Sequence, residues 1–406
     1  MPPTDSPADS PAAPRYRVAE PADRAALSGL MRWSFRKRPE EAERWLDWVG
    51  PDAPRVLELD GEPAASALVR PAGLFLGGRR VSTQTVAAVA TDPVRRGRGA
   101  ARALVEGVLR EAADRGLATA TLYPSTRRPY RRVGFGVAGV RYGYRVGTAA
   151  MRPASREAAV EVAPLRDEDL PARAALRRRL ALEEHGPLER DGYWWRRLSE
   201  HPTLEVRGFA LRVGERLVGW VHLAELPGPA GSFRYDLRVT DYGCATAGAL
   251  RALRGFLAGH RSLADHVSWS GGPADPLCLA LDDATYEVSQ SPSHWMLRVV
   301  DARAALVERG WPTSVRGELG LRLRDPLLPR NEAPFTVRLR SGAAEVEEGA
   351  RGPAAEADVE TFASIYTGLL SPRRAAALGR LTAPDAQLDL MEEAFRSPTP
   401  WMSEAF

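Results

Sequence analysis

The sequence predicts a mixed α+β protein built from two similar units in tandem and a third of different style. Three observations carry this. Residues 15–152 read as strand, helix, antiparallel strands, a Gly/Arg loop, helix, strand, short helix and strand. Residues 153–298 replay that order, and residues 299–406 run strand-like pieces first and helices after. At 406 residues the chain exceeds one ordinary domain, and its 44% hydrophobic and 27% charged residues suit a protein that buries a sizeable core.

Composition excludes several classes. Residues 1–14 are rich in Pro, Ala, Ser and Asp and read as a disordered lead-in, lacking the basic start and apolar stretch of a secretory signal. No run approaches the roughly 18 apolar residues of a membrane span, so no membrane insertion and a cytoplasmic location are expected. Cys244 and Cys278 lie far apart without metal-ligand spacing, which argues against a disulfide framework and against any metal. A formal charge of +4 is a weak excess for this length, and arginines alternate with acids, as in EGVLREAADRG. These are solvated helix faces, and no nucleic-acid partner is expected.

In the first unit, RYRVAEPADRAALSGLMRWSF gives a short strand and then a helix entered by a Pro-Ala-Asp turn. RVLELDGEPAASALVRPAGLFLGGRRVSTQTVAAVAT gives alternating strands with hairpin signals at Asp60-Gly61 and Gly77-Gly78. An amphipathic helix closes at Gly116, LATATLYPS is a strand, and RPYRRVGFGVAG is a short helix and turn before the closing strands. The second unit repeats strand, acidic turn and helix, then a hairpin at Gly214-Glu215, then strand and helix. Its loop lacks the Gly/Arg pattern, as in a duplication that lost one cofactor loop. In the third unit, LRLRDPLLPRNEAPFTVRLRSGAAEVEEG is strand-like, whereas AEADVETFASIYTGLLSPRRAAALGRL and AQLDLMEEAFRS are helical.

The chemistry concentrates in VAAVATDPVRRGRGAARALVEGVL. A strand over Val86 to Thr91 meets Asp92-Pro93, and Arg96-Gly97-Arg98-Gly99-Ala100-Ala101 then opens directly into an apolar-periodic helix. A helix N-terminus leaves backbone N–H groups unpaired and partly positive, which suits a pyrophosphate. Gly97 and Gly99 let the backbone approach phosphate oxygens without a Cβ in the way, and Arg96 and Arg98 add charge. An arginine-rich turn before a surface helix is the plainer alternative. Trp33, Phe35, Trp45 and Trp48 cluster on the first helix and the loop after it, where they serve either as the wall of an amine pocket or as core.

The loop resembles the acyl-CoA loop, Arg/Gln-x-x-Gly-x-Gly/Ala, of the GNAT acetyltransferase superfamily. The resemblance implies two tandem GNAT folds, the second degenerate, with acetyl-CoA as co-substrate. It implies that backbone groups of Val89 and Thr91 hold the pantetheine and the thioester carbonyl. It makes Tyr130, in LYPSTRRPYRRVGFG, the general acid for the departing thiolate, and gives Ser125 a bond to the CoA arm. Tyr123 is a lesser candidate for the acid.

Over Arg15 to Phe406 the chain further resembles the enhanced intracellular survival (Eis) family of actinobacterial N-acetyltransferases. Asp275-Pro276-Leu277, AALVERGW, IYTGLLSPRRAAALGRL and AFRSPTPWMSEAF carry this likeness, as does an Arg-rich composition in which Lys37 is the single lysine. It implies a sterol-carrier-protein-like C-terminal domain, homohexamers, and a terminal carboxylate, that of Phe406, acting as general base. The implied acceptor is a small polyamine or aminoglycoside-like amine, with direct transfer in a ternary complex. Ala405 stands where aminoglycoside-binding relatives carry an acid, so either Glu404 substitutes or the pocket prefers another amine. A protein lysine acetyltransferase and a non-catalytic lipid or ligand carrier are the rival readings.

Overall fold

The computed structural model describes residues 13–153, 159–200, 204–228, 230–283 and 285–406. Most of the lead-in expected over 1–14 lies outside them. Twelve strands form one sheet: β1 Arg15–Val18, β2 Pro54–Leu59, β3 Glu62–Leu76, β4 Arg79–Thr91, β5 Thr119–Leu122, β6 Gly136–Gly147, β7 Glu161–Pro164, β8 Val206–Val213, β9 Arg216–Pro227, β10 Tyr235–Cys244, β11 Ala264–Gly271 and β12 Glu287–Val299. Their spatial order is β1-β2-β3-β4-β5-β12-β6-β11-β10-β9-β8-β7.

Hairpin chemistry sets the first half. Asp60 and Gly61, at φ 54° and 80°, turn β2 into β3, and Gly77 and Gly78, at 61° and 78°, turn β3 into β4. Paired positive φ values match the right-handed twist of the strands they join. The order also shows an exchange. β12, which closes the second half, lies between β5 and β6 of the first, and β6 pairs with β11 of the second. The halves therefore share one continuous sheet, with Trp295, Met296 and Leu297 fully buried at the seam.

The Trp45 and Trp48 segment, read from the sequence as loop, is a second helix, Pro39–Val49. Pro39 supplies its fixed φ at the first helical position, Glu41 accepts from the Arg38 backbone N–H at 3.0 Å, and Ala42, Leu46 and Val49 face the core.

The third unit is a five-stranded sheet: β13 Gly317–Arg324, β14 Phe335–Arg340, β15 Ala343–Glu348, β16 Ala355–Asp358 and β17 Leu381–Thr382, in the order β15-β14-β13-β16-β17. AEAD, expected to open a helix, is the strand β16 instead. Asp358 then caps the helix Val359–Tyr366 by accepting from the Thr361 N–H at 3.0 Å. Arg309 is buried among the rings of Trp311, Tyr366 and Phe395, its guanidinium carbon 4.4, 5.1 and 5.0 Å from their centres.

Candidate active site

The first half carries an opened sheet. β4 and β5 pair in parallel only over Thr83–Thr85, and β4 then runs on through Val86–Thr91 with no strand on that edge. Opposite β3, the register jumps from Ser66↔Ala90 to Leu68↔Ala87, which leaves a bulge at Ala88 and Val89, with Ala88 at φ 50°. A bulge turns the backbone of the strand outward, so Val89 and Thr91 sit along the free edge of this gap.

The loop follows. Asp92 accepts from the Val94 N–H at 3.0 Å, and Gly97 and Gly99 lie at φ 80° and 83°, where side chains with a Cβ are disfavoured. The helix Ala100–Asp114 then starts from Gly99 with no side chain capping it. A Cβ built at Gly97 or Gly99 meets nothing within 4 Å, so the loop is open at both positions, and no side chain caps the N–H groups that follow. Arg98 pairs with Asp60 at 2.7 Å and Arg95 donates to the Glu62 carbonyl at 3.0 Å, whereas Arg96 is exposed and has no partner among the described residues. Unpaired donors, open space and a free guanidinium suit the pyrophosphate and phosphate of an acyl-CoA.

Tyr130 stands on the short helix Arg128–Arg131 and packs edge-on against Phe135, ring centres 6.0 Å apart. Its hydroxyl has no hydrogen-bond partner among the described residues, and burial pushes its pKa up to about 12. Ser125 is exposed on the loop between β5 and that helix.

The C-terminal residues thread between the two halves. Pro400 accepts from the Val140 N–H at 3.0 Å, and Trp401 donates to the His185 carbonyl at 2.9 Å. Gly139, Gly186 and Gly272 make room for this passage, since a Cβ on any of them would collide with Pro400 or Trp401. Tyr123 donates its hydroxyl to the Met402 carbonyl at 2.8 Å, and Arg197 donates to that of Ala405 at 3.0 Å. The Phe406 ring rests between Tyr123 and Trp194, 5.9 and 5.3 Å away. Because Tyr123 directly follows β5, the tail reaches the mouth of the gap between β4 and β5.

A cavity of about 460 Å³ adjoins the tail, walled by Trp45, Trp48 and Trp194 and floored by Ser403, Glu404 and Ala405. Of the aromatics flagged in the sequence, Trp45 lines it, Phe35 backs Trp45 at 6.2 Å, and Trp33 is 76% exposed elsewhere on the surface. The Glu404 carboxylate is committed: it accepts from Arg190 Nε at 2.6 Å, the Leu188 N–H at 3.0 Å and the Ser403 hydroxyl at 2.8 Å. Burial alone would raise its pKa, but the charges of Arg190 and Arg177 outweigh that and hold it at about 2. Sequence reasoning missed Arg141, Arg197, Arg44 and Trp194 at this cavity. Only the Pro39–Val49 helix gave a local signal, in the spacing of Arg44, Trp45 and Trp48.

The second half has the same gap. β10 and β11 pair in parallel from Tyr235↔Ala264 to Arg238↔Ser268, and β10 then runs on to Cys244. Here Trp401 and Ser403 line the opening, and Arg190 reaches across to Asp241 with bonds of 2.9 and 3.0 Å. The following helix, Ala247–Gly259, is closed by Thr246, whose hydroxyl accepts from the Ala249 N–H at 3.0 Å.

This geometry agrees with known domains. Residues 15–138 and 186–299 each match an acetyltransferase (GNAT) domain, and residues 302–403 match a sterol carrier protein domain. Among solved structures, the chain is similar to a GCN5-related N-acetyltransferase from Anabaena variabilis (28% identity, 97% of this chain and 100% of that one, TM-score 0.92). It also shares its fold with a GCN5-related N-acetyltransferase from Kribbella flavida (23%, 97% and 98%, 0.85) and with Eis1 from Mycobacterium abscessus (23%, 97% and 100%, 0.79). No curated protein matches the chain. Fold and site thus define a tandem GNAT architecture with a sterol-carrier-like third domain. The protein is an acetyltransferase. Domains of this kind use acetyl-CoA and small-molecule acceptors in general. Among the described residues no helix is long and apolar enough to cross a membrane, and no group of three or more His, Cys, Asp or Glu is arranged to hold a metal.

Proposed function

We propose that the protein is an Eis-type cytoplasmic enzyme that acetylates the amino group of a small acceptor directly, within one ternary complex. The observation that carries this is the tail: residues 400–406 are bonded along both halves, and Phe406 is held against Tyr123 beside both the gap and the cavity. In this reading the uncapped N–H groups of Ala100 and Ala101, with Arg96 and Arg98, hold the phosphates, Val89 and Thr91 bond the pantetheine along the β4 edge, and Ser125 bonds the CoA arm. Acetyl-CoA supplies an acetyl thioester, activated for attack by an amine.

The residues of the chain move the protons. The carboxylate of Phe406 takes a proton from the acceptor ammonium, directly or through a water, so that the amine attacks as its free base. The backbone N–H near Val89 is a preorganised donor for charge developing on the thioester carbonyl oxygen. Tyr130, its pKa raised to about 12 by burial, remains protonated at neutral pH and gives its proton to the sulfur. No covalent intermediate on the protein is needed.

The test is steady-state CoA release from acetyl-CoA with a panel of aminoglycosides, polyamines, amino acids and lysine peptides, comparing native protein with Tyr130→Phe. Turnover that falls on removing one oxygen supports the assignment, and an unchanged rate contradicts it. A homohexamer belongs to the same proposal, on the strength of the sequence resemblance, and sedimentation velocity checks it.

A further inference from the structure

We infer that the acceptor is an amine that itself carries an anionic group, a carboxylate or a phosphate, on an apolar body. The inference deepens the transferase reading and rests on it.

Charge on the cavity wall decides the class. Its three carboxylates are all engaged. Glu41 is bonded to the Arg38 backbone at 3.0 Å and to its guanidinium at 3.0 and 3.2 Å. Glu200 pairs with Arg196 at 3.9 Å, and Glu404 is held by Arg190 at 2.6 Å. Of its four cations, Arg44, Arg141 and Arg197 form no ion pair with a carboxylate among the described residues, and Lys37 acts on Glu41 through space without a bond. Lys37 and Arg197 lie over the Trp45 ring at 5.0 and 5.5 Å, and Arg44 is exposed at the rim. Arg141 donates to the Ser270 hydroxyl at 2.8 Å, while its Nε is buried without a hydrogen-bond partner among the described residues.

A guanidinium without a carboxylate partner can give charge-assisted hydrogen bonds to a ligand oxygen. Along the wall itself the four cations are matched by the three carboxylates and that of Phe406, and the excess of positive charge comes from Arg38, Arg190 and Arg196, which hold those carboxylates. A polycationic acceptor meets repulsion here, whereas an anionic substituent bonds to the arginines and the apolar part of the molecule packs on Trp45, Trp48 and Trp194. The same cations disfavour a second positive charge, so they also favour the neutral, nucleophilic form of a bound amine.

The test compares acceptors matched in shape: phenylalanine, 2-phenylethylamine and spermidine in CoA release, with β-alanine and O-phosphoethanolamine to separate carboxylate from phosphate. A binding readout independent of turnover is quenching of tryptophan fluorescence by 3-phenylpropionate against 2-phenylethylamine. The expected result is kcat/KM about tenfold or more higher for phenylalanine than for 2-phenylethylamine, and tighter binding of 3-phenylpropionate. The paired variant Lys37→Glu/Arg44→Glu should reverse both orders, and Lys37→Gln/Arg44→Gln, milder for folding, should level them. Preference for 2-phenylethylamine or spermidine, or an order untouched by both variants, overturns the inference and leaves the transferase intact. Binding of 3-phenylpropionate with no CoA release from any amine overturns the transferase reading, and the acceptor assignment with it.

Discussion

The two GNAT halves begin their central helices in opposite ways. In the first, the helix starts from Gly99 with no side-chain cap, after an exposed Arg96 that has no partner among the described residues. In the second, the Thr246 hydroxyl takes up the Ala249 N–H, one of the donors that a helix start leaves free. Both halves retain the parted strands, but the gap in the second is lined by Trp401 and Ser403 and crossed by Arg190. One copy thus has the features of a donor site. The other is a socket for the tail, lined by Trp401 and Ser403. Arg190, bonded to Asp241 and to Glu404 of the tail, is the clamp of that socket.

The largest effect should come from breaking the clamp. Glu404→Ala leaves the buried Arg190 without one of its two carboxylates, at about 3–5 kcal/mol by the usual cost of orphaning a buried ion pair. Chemical denaturation measures it, and acetyl transfer should fall with it. The acid limb follows the same carboxylate. Its folded pKa of about 2 lies below the ordinary value of 4.5, so its contribution is full above about pH 4.5 and lost as pH falls toward 2. Glu404→Gln should flatten stability against pH across that window.

Next is Gly99→Val, which forces a β-branched residue to φ 83° at the mouth of the loop. Acetyl-CoA affinity by calorimetry should drop by about a hundredfold or more, at a stability cost of about 1–2 kcal/mol. Tyr130→Phe should lower kcat by about a hundredfold while leaving the melting temperature and KM for acetyl-CoA nearly unchanged, since its hydroxyl makes no bond among the described residues. The native enzyme should show no alkaline loss from this group below about pH 10, because burial has raised its pKa. The smallest effect sharpens the contrast: Thr246→Ala removes the second cap for about 1 kcal/mol and should not alter acetyl-CoA affinity.

Local features of the fold were legible in the chain. Asp60-Gly61 and Gly77-Gly78 turn as their residue types require, and the Gly/Arg loop leads into its helix at Ala100. The exchange of β6 and β12 was not, because alternation of apolar residues tells which face of a strand is buried and not which strand lies beside it. The clamp was equally hidden: Arg190 lies 214 residues from Glu404, and nothing in its neighbourhood sets it apart from other arginines. Gly139, Gly186 and Gly272 were visible as residues, but their purpose is a close approach by the tail that only the assembled fold reveals. The charge of the cavity depends on which arginines find acids, and that is settled by packing.

The claim that joins the two halves is that the second holds the tail so that the Phe406 carboxylate serves the first. The direct measurement is acetyl transfer by a chain carrying one glycine after Phe406, with acetyl-CoA affinity measured in parallel. The account predicts turnover reduced by about a hundredfold with affinity for acetyl-CoA unchanged, since the added residue displaces the carboxylate and leaves the loop alone. Turnover equal to that of the native protein would contradict it and remove the carboxylate from the mechanism.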